Sequence, residues 1–489
     1  MMSIRLYTPA TGLPDLEVKI AYGIARIGLE AFGEKKGEIF SIEDLGGHYE
    51  IEFFVDEGEF DTLEKTINLV LKKVFSSFHV QRMTPGVTSK SQNNVTVYAG
   101  EEYSLNIYQR AFHRWANKSG ENICKHAGSP IGNIIALSSA TSYHNSRDFI
   151  DLQSYKTSKA SYLQRSTDRK KICKTCGMLS LLGIWFATFV MNFGENKEVM
   201  IIPVPEGKIM SSDLRRIFSI QHLVRRDRIS GKAPERVLPL LFFSRLPSSA
   251  NVLEKFNLLI TVLERAGGQG YRVDGFYTVP TSNYIEFINS SPFNIAIVDT
   301  MIRRMSAENV TLTSLLHLNS AVHYKNKKSA SLFARQYVLE TSSEGKVNLL
   351  YPETAKYFLR RVFMVKEEIL NSTAVKSFAK TLGYFVWNKN YQNYSFADGI
   401  RNARTEKEMS EILQRLMREA KLRYDQESKE EQKGEGMQAE RPHIPSAKDL
   451  EELNRLMKDS FEEVKAALYL LAFSYESHKK IYVGEDTNA

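Results

Sequence analysis

The sequence predicts an α+β protein, with a mixed α/β N-terminal region that carries a cysteine-containing insertion, followed by an all-helical C-terminal bundle. Three observations lead there. Strand-like runs bounded by Gly and Pro alternate with amphipathic segments up to about residue 295. A stretch rich in Lys, Arg, Ser, Thr and Tyr, with little periodicity, interrupts them. Beyond it, four long segments carry helical spacing. At 489 residues and 43% hydrophobic content the chain exceeds what one core normally fills. The predicted division is 1–295, with 103–177 as a loop-rich insertion, and 296–489.

Each element follows from its pattern. "GHYEIEFFVDEGEF" has the alternation of a strand. "FDTLEKTINLVLKKVFSS" places Leu63, Ile67, Val70, Leu71 and Val74 on one face of a helix. A polar loop, "TPGVTSKSQNN", separates this unit from "VTVYAGEEY". The apolar stretch Met178 to Phe193 is shorter than the roughly 20 residues that span a bilayer and is interrupted by Gly183 and Asn192, so it reads as a core element. "VMIIPVP", "RVLPLLFFSRL" and "GYRVDGFYTVP" read as strands, and "NVLEKFNLLITVLERA" as a helix joined to the last of them by the turn "GGQG", Gly267 to Gly270. In the C-terminal region, Thr405 and Glu408 form a capping box ahead of Met409, Ile412, Leu413, Leu416 and Met417. Ser446 and Asp449 open a final helix whose stripe is Leu450, Leu453, Met457, Phe461, Val464 and Leu468. The intervening "DQESKEEQKGEGMQAERPHIP" is too charged to bury and reads as a flexible loop.

The chemistry is mostly that of charge. Lys plus Arg exceed Asp plus Glu by 65 to 57, a net charge of +8, and the excess is clustered. "YKTSKASYLQRSTDRKKICK" includes Lys170 and Lys171, and "DLRRIFSIQHLVRRDRISGKAPER" includes Arg215, Arg216, Arg225, Arg226 and Arg228. Smaller groups lie at Arg303 and Arg304, at Lys325, Lys327 and Lys328, and at Arg360 and Arg361. Arginine pairs beside apolar and aromatic residues favour a surface that tracks phosphates over ordinary solvated helix faces. No nucleotide-binding GxxxxGK[ST] loop, HExxH, GxSxG elbow or adjacent His-Asp pair is present. Nothing in the sequence demands an enzyme.

Three cysteines in so long a chain do not make a disulfide framework. Cys173-Lys174-Thr175-Cys176-Gly177 has the spacing and trailing glycine of a zinc knuckle, and Cys124 with His126, or with His113 or His144 in its place, would complete a structural site. Structural thiols and a redox pair are the other two readings, the redox one lacking a strand before Cys173. The N-terminus shows no basic start followed by an apolar run, so a cytoplasmic protein that spans no membrane is expected.

The opening "TGLPDLEVKIAYGIARIGLEAFG", the α/β region, the "CKTCG" insertion, the basic stretches and the helical C-terminal region together resemble the large subunit of the type I-A CRISPR Cascade effector complex of archaea. The abundance of Lys, Glu and Arg suits thermophilic members. The resemblance implies a non-catalytic subunit that contacts the 5′ end of the CRISPR RNA, recognises the protospacer-adjacent motif in target double-stranded DNA, and has the other Cascade subunits and a helicase-nuclease as partners. It implies a zinc site in which the first cysteine pair is reduced to Cys124 and His126. Motif reading falls to Lys90, Gln92, Asn93 and Asn94 in the polar loop, whose side chains suit base edges in the minor groove. Phosphate contacts fall to Lys170, Lys171, Arg215, Arg216, Arg225, Arg226 and Arg228. The alternative from another class is a metal-dependent nuclease with scattered carboxylates.

Overall fold

The computed structural model describes residues 3–10, 14–75, 105, 106, 108, 174–195, 197–221, 224, 228–229, 232–246, 249–265, 271–343, 347–388, 392–432 and 441–474. The chain divides into two compact units, Met1–Gly231 with Ser248–Ser282, and Lys232–Pro247 with Asn283–Ala489. The first is α+β and the second helical, as the sequence predicts.

In the first unit, β1 (Ser3–Tyr7), β2 (Phe40–Asp44), β3 (Tyr49–Asp56) and β6 (Ile209–Met210) form an antiparallel sheet in the order β1-β3-β2-β6. Alternate residues of β3, from Tyr49 to Val55, are buried, which is the signature of a sheet with one covered face. A second sheet runs β7-β4-β5-β8-β9, built from β4 (Phe189–Phe193), β5 (Lys197–Pro205), β7 (Arg228–Ile229), β8 (Phe256–Arg265) and β9 (Tyr271–Pro280). Its pairings are antiparallel except β4 with β7.

Helix α1 (Pro14–Phe32) starts on a proline, whose missing N–H costs nothing at that position. From Leu16 to Ala25 its described side chains are buried all round, so it is a central rod and not a surface helix. It packs against α3 (Lys174–Ala187) at backbone contact. A Cβ on Gly23 would stand 2.0 Å from the Leu179 carbonyl oxygen, and one on Gly183 would stand 1.9 Å from that of Lys19. Gly28 lets the Phe53 ring of β3 approach in the same way. The Tyr22 hydroxyl donates to the Pro203 carbonyl of β5, so α1 is tied to both sheets. Helices α2 (Phe60–Phe75), which buries Leu63, Ile67 and Val70, and α4 (Ser211–Ile220) complete the unit.

The helical unit comprises α5 (Leu238–Ser244), α6 (Ser282–Ser290), α7 (Pro292–Glu308), α8 (Thr313–His323), α9 (Lys327–Thr341), α10 (Pro352–Phe358), α11 (Glu367–Asn371), α12 (Thr373–Trp387), α13 (Ser395–Asn402), α14 (Glu406–Gln432) and α15 (Ala447–Ala472). Helices α12 and α15 pair closely, as do α8 and α9. The buried Asn294 carboxamide fixes local register. Its nitrogen donates to the Phe287 carbonyl at 2.7 Å, and its oxygen accepts from the Thr354 hydroxyl at 2.6 Å.

Several local expectations are corrected. "RVLPLLFFSRL" forms a short helical turn and α5; every side chain of α5 is buried, which leaves no period to read. "NVLEKFNLLITVLERA" is a turn followed by β8, its β-branched run paired to β5 and β9. The segment from Glu353 to Trp387 is interrupted by a π-turn, Leu359–Phe363, and by Met364 at φ 60°. Helix α14 extends through Asp425–Gln432, into the segment read as a loop. The Ser446/Asp449 capping box is complete, the Ser446 Oγ accepting from the Asp449 N–H at 3.1 Å; at Thr405 the Oγ1 accepts from the Glu408 N–H at 3.2 Å, but the Glu408 carboxylate reaches back to the Arg404 N–H instead.

The α1–α3 crossing yields a direct stability prediction. Gly183→Val should destabilise the protein by about 1–3 kcal/mol or more, since the clash is with backbone. Gly58→Ala, where nothing lies within 4 Å, should be nearly neutral. Thermal unfolding checks both, and equal midpoints for the two variants would contradict the packing.

Candidate nucleic-acid interface

Helix α4 presents the clearest of the expected contact residues. Leu214 and Ile217 are buried, which turns Arg215, Arg216 and Phe218 outward. The helix is anchored at its start by Glu38, whose carboxylate accepts from the Ser211 hydroxyl at 2.6 Å and the Ser212 N–H at 2.9 Å. Partial burial pushes the Glu38 carboxyl up, but these bonds and the Arg215 charge outweigh it and hold the group below its usual range. A carboxylate at a helix N-terminus is also favoured by the dipole.

A cleft of about 810 Å³ lies between α4 and the end of α1. Arg26 and Phe218 face each other there, the guanidinium 5.3 Å from the ring centroid. Lys35 sits 4.8 Å over the Phe32 ring and pairs with Glu59 at 2.7 Å. Arg215 donates to the Gly33 carbonyl at 3.4 Å. Arg26 is paired with Glu30, whereas Arg215 and Arg216 form no ion pair among the described residues. Arg215 therefore lines the cleft beside a 39%-exposed aromatic ring, with Arg216 exposed on the same helix; cations near an exposed ring suit a phosphodiester backbone and a stacked base.

Arg26, Lys35 and Phe218 were not among the sequence-derived residues. They come together only through the α1–α4 packing. The remaining predicted residues distribute unevenly. Lys90, Gln92, Asn93, Asn94, His113, Cys124, His126, His144, Lys170, Lys171, Cys173, Arg225 and Arg226 lie outside the described residues, as does the GGQG turn, and Arg228 is placed only as backbone of β7. Of the smaller basic groups, Arg304 pairs with Glu308 at 2.6 Å, Lys325 and Arg361 both pair with Glu286 at 3.1 Å, and Arg360 pairs with Glu367 at 2.8 Å. These four cations are self-compensated, whereas Arg303, Lys327 and Lys328 are exposed and form no ion pair among the described residues.

Cys176 is fully buried near the start of α3, its sulfur 3.1 Å from the Tyr108 hydroxyl. Gly177 is helical here and does not form the tight turn of a knuckle. A metal-bound thiolate accepts a hydrogen bond of this kind, so the Tyr108 contact fits a ligand as well as a structural thiol. Among the described residues, no group of three or more His, Cys, Asp or Glu side chains converges to hold a metal ion.

One Ser-His-Asp cluster invites a catalytic reading that its geometry does not support. Ser377 Oγ meets His443 Nε2 at 2.8 Å and Asp449 Oδ2 at 3.1 Å. In a relay the carboxylate orients the imidazole; here it accepts from Ser377 and from the N–H and hydroxyl of Ser446, at 2.8 and 2.9 Å, as part of the α15 cap. No helix among the described residues is long and apolar enough to cross a membrane. Compared with the models of known protein families and with curated proteins, the chain matches none.

Proposed function

We propose that this chain is a non-catalytic, nucleic-acid-binding large subunit of an RNA-guided CRISPR surveillance complex of the Cascade kind. The observation that carries the proposal is the exposed Arg215 and Arg216 on α4, neither in an ion pair among the described residues, with Arg215 and Phe218 lining the cleft shared with Arg26 and Lys35. Such a surface binds backbone without reading sequence. Delegating sequence to a guide RNA is the arrangement in which a protein of this chemistry is sufficient. On this reading the α+β unit holds the 5′ end of the CRISPR RNA and the protospacer-adjacent motif, the helical unit helps to recruit the helicase-nuclease, and the complex works in the cytoplasm.

Zinc belongs to the same proposal. Cys124, His126, Cys173 and Cys176 would hold one structural ion that pins the insertion onto α3, with no open coordination position and no part in chemistry. The purified protein should then carry about one zinc per chain, and Cys173→Ser should lose it; a metal-free wild-type protein measured by elemental analysis would remove the site.

Binding is tested through its salt dependence. Each phosphate contact contributes about 0.9 to the slope of log K against log salt for duplex DNA. The double variant Arg215→Ala/Arg216→Ala should lower that slope by about 1.8 and weaken binding for every sequence alike. An unchanged slope would exclude the α4 surface, and turnover of labelled DNA or RNA with Mg²⁺ or Mn²⁺, abolished by chelation, would favour a nuclease instead.

A further inference from the structure

A second basic site lies within the helical unit and owes nothing to the α4 surface. A cavity of about 700 Å³ opens among α10, α11, α12, the segment before α15 and the end of α15. That volume is typical of small-ligand sites. Three separate elements bring cations to it: Lys356 from α10, Arg360 from the π-turn, and Lys376 and Lys380 from α12. The carboxylate that lines it, Asp449, is already engaged by Ser446 and Ser377. Arg360 is shared with Glu367 at 2.8 Å. Lys356 and Lys376 form no ion pair among the described residues.

Lys376 and Lys380 stand four apart on one helix face, a like-charge spacing that disfavours the helix. A dianion between them would turn that repulsion into attraction. The polar wall includes Ser377, whose hydroxyl meets His443 Nε2 at 2.8 Å. Leu370, Ala379 and Leu471 add apolar lining. Cations against a small polar patch, with an apolar surface beside it, match a phosphate attached to a nucleoside better than they match a bare carboxylate. A phosphate monoester carries nearly two charges at neutral pH and three strong acceptor oxygens.

We propose that this cavity binds the phosphate monoester of a nucleotide, carried either by a free nucleotide or by the phosphorylated end of a nucleic-acid strand. The test measures binding to the full-length protein of adenosine 5′-monophosphate against adenosine, and of a short single-stranded DNA with a 5′-phosphate against the same strand with a 5′-hydroxyl. At least one pair should show a preference of tenfold or more for the phosphorylated member. A preference confined to the monophosphate assigns the free nucleotide, and one confined to the strand assigns the terminus. Lys376→Ala/Lys380→Ala should abolish the preference while the unfolding midpoint holds, since both lysines are exposed. Arg215→Ala/Arg216→Ala should leave it intact, which separates this site from the α4 surface. Equal binding within both pairs, or a preference that survives loss of Lys376 and Lys380, would overturn the proposal.

Discussion

The α+β unit depends on two helices whose backbones touch. Gly23 and Gly183 allow α1 and α3 to cross with no side chain between them, each glycine lying against a carbonyl of the other helix. Any Cβ there must displace main chain, which interiors packed at crystal-like density resist. The crossing sets α1 as a rod between two sheets, with Gly28 against Phe53 on one side and Tyr22 bonded to the Pro203 carbonyl on the other. The end of that rod is where the surface chemistry begins. Arg26, Phe32 and the loop carrying Lys35 meet α4 there, so the shape of the basic cleft is inherited from a contact in the core.

Position relative to carboxylates sets how much of each cation's charge is left for a polyanion. Arg304, Lys325, Arg360 and Arg361 each have a carboxylate within 3.1 Å. Such exposed pairs contribute about 1 kcal/mol or less to stability, but they cancel local potential. Arg215 and Arg216 form no such pair among the described residues, although the Glu38 carboxylate at the start of α4 lies close enough to feel the Arg215 charge.

Much of the fold was legible in the sequence where one face of an element is wet. The alternation of β3, the stripe of α2 and the Ser446/Asp449 capping box leave periodic traces because polar residues mark the exposed side. Elements buried on all sides leave none. Leu238–Ser244 was read as a strand, and the run in Phe256–Arg265 as a helix, for that reason. The π-turn at Leu359–Phe363 could not be seen either, because its residues keep helical composition while the hydrogen-bond step changes. Of the candidate site, the arginine pair was legible as adjacent charges beside apolar residues. Arg26, Lys35 and Phe218 were not, since Phe218 lies far along the chain from the other two and meets them only by packing.

What travels with the protein tests the central claim most directly. The tagged chain would be isolated from its native cells and the co-purifying proteins and bound RNA identified. Processed CRISPR RNA recovered together with Cascade backbone subunits is the predicted result; the chain recovered alone and free of nucleic acid would contradict its assignment to an RNA-guided complex.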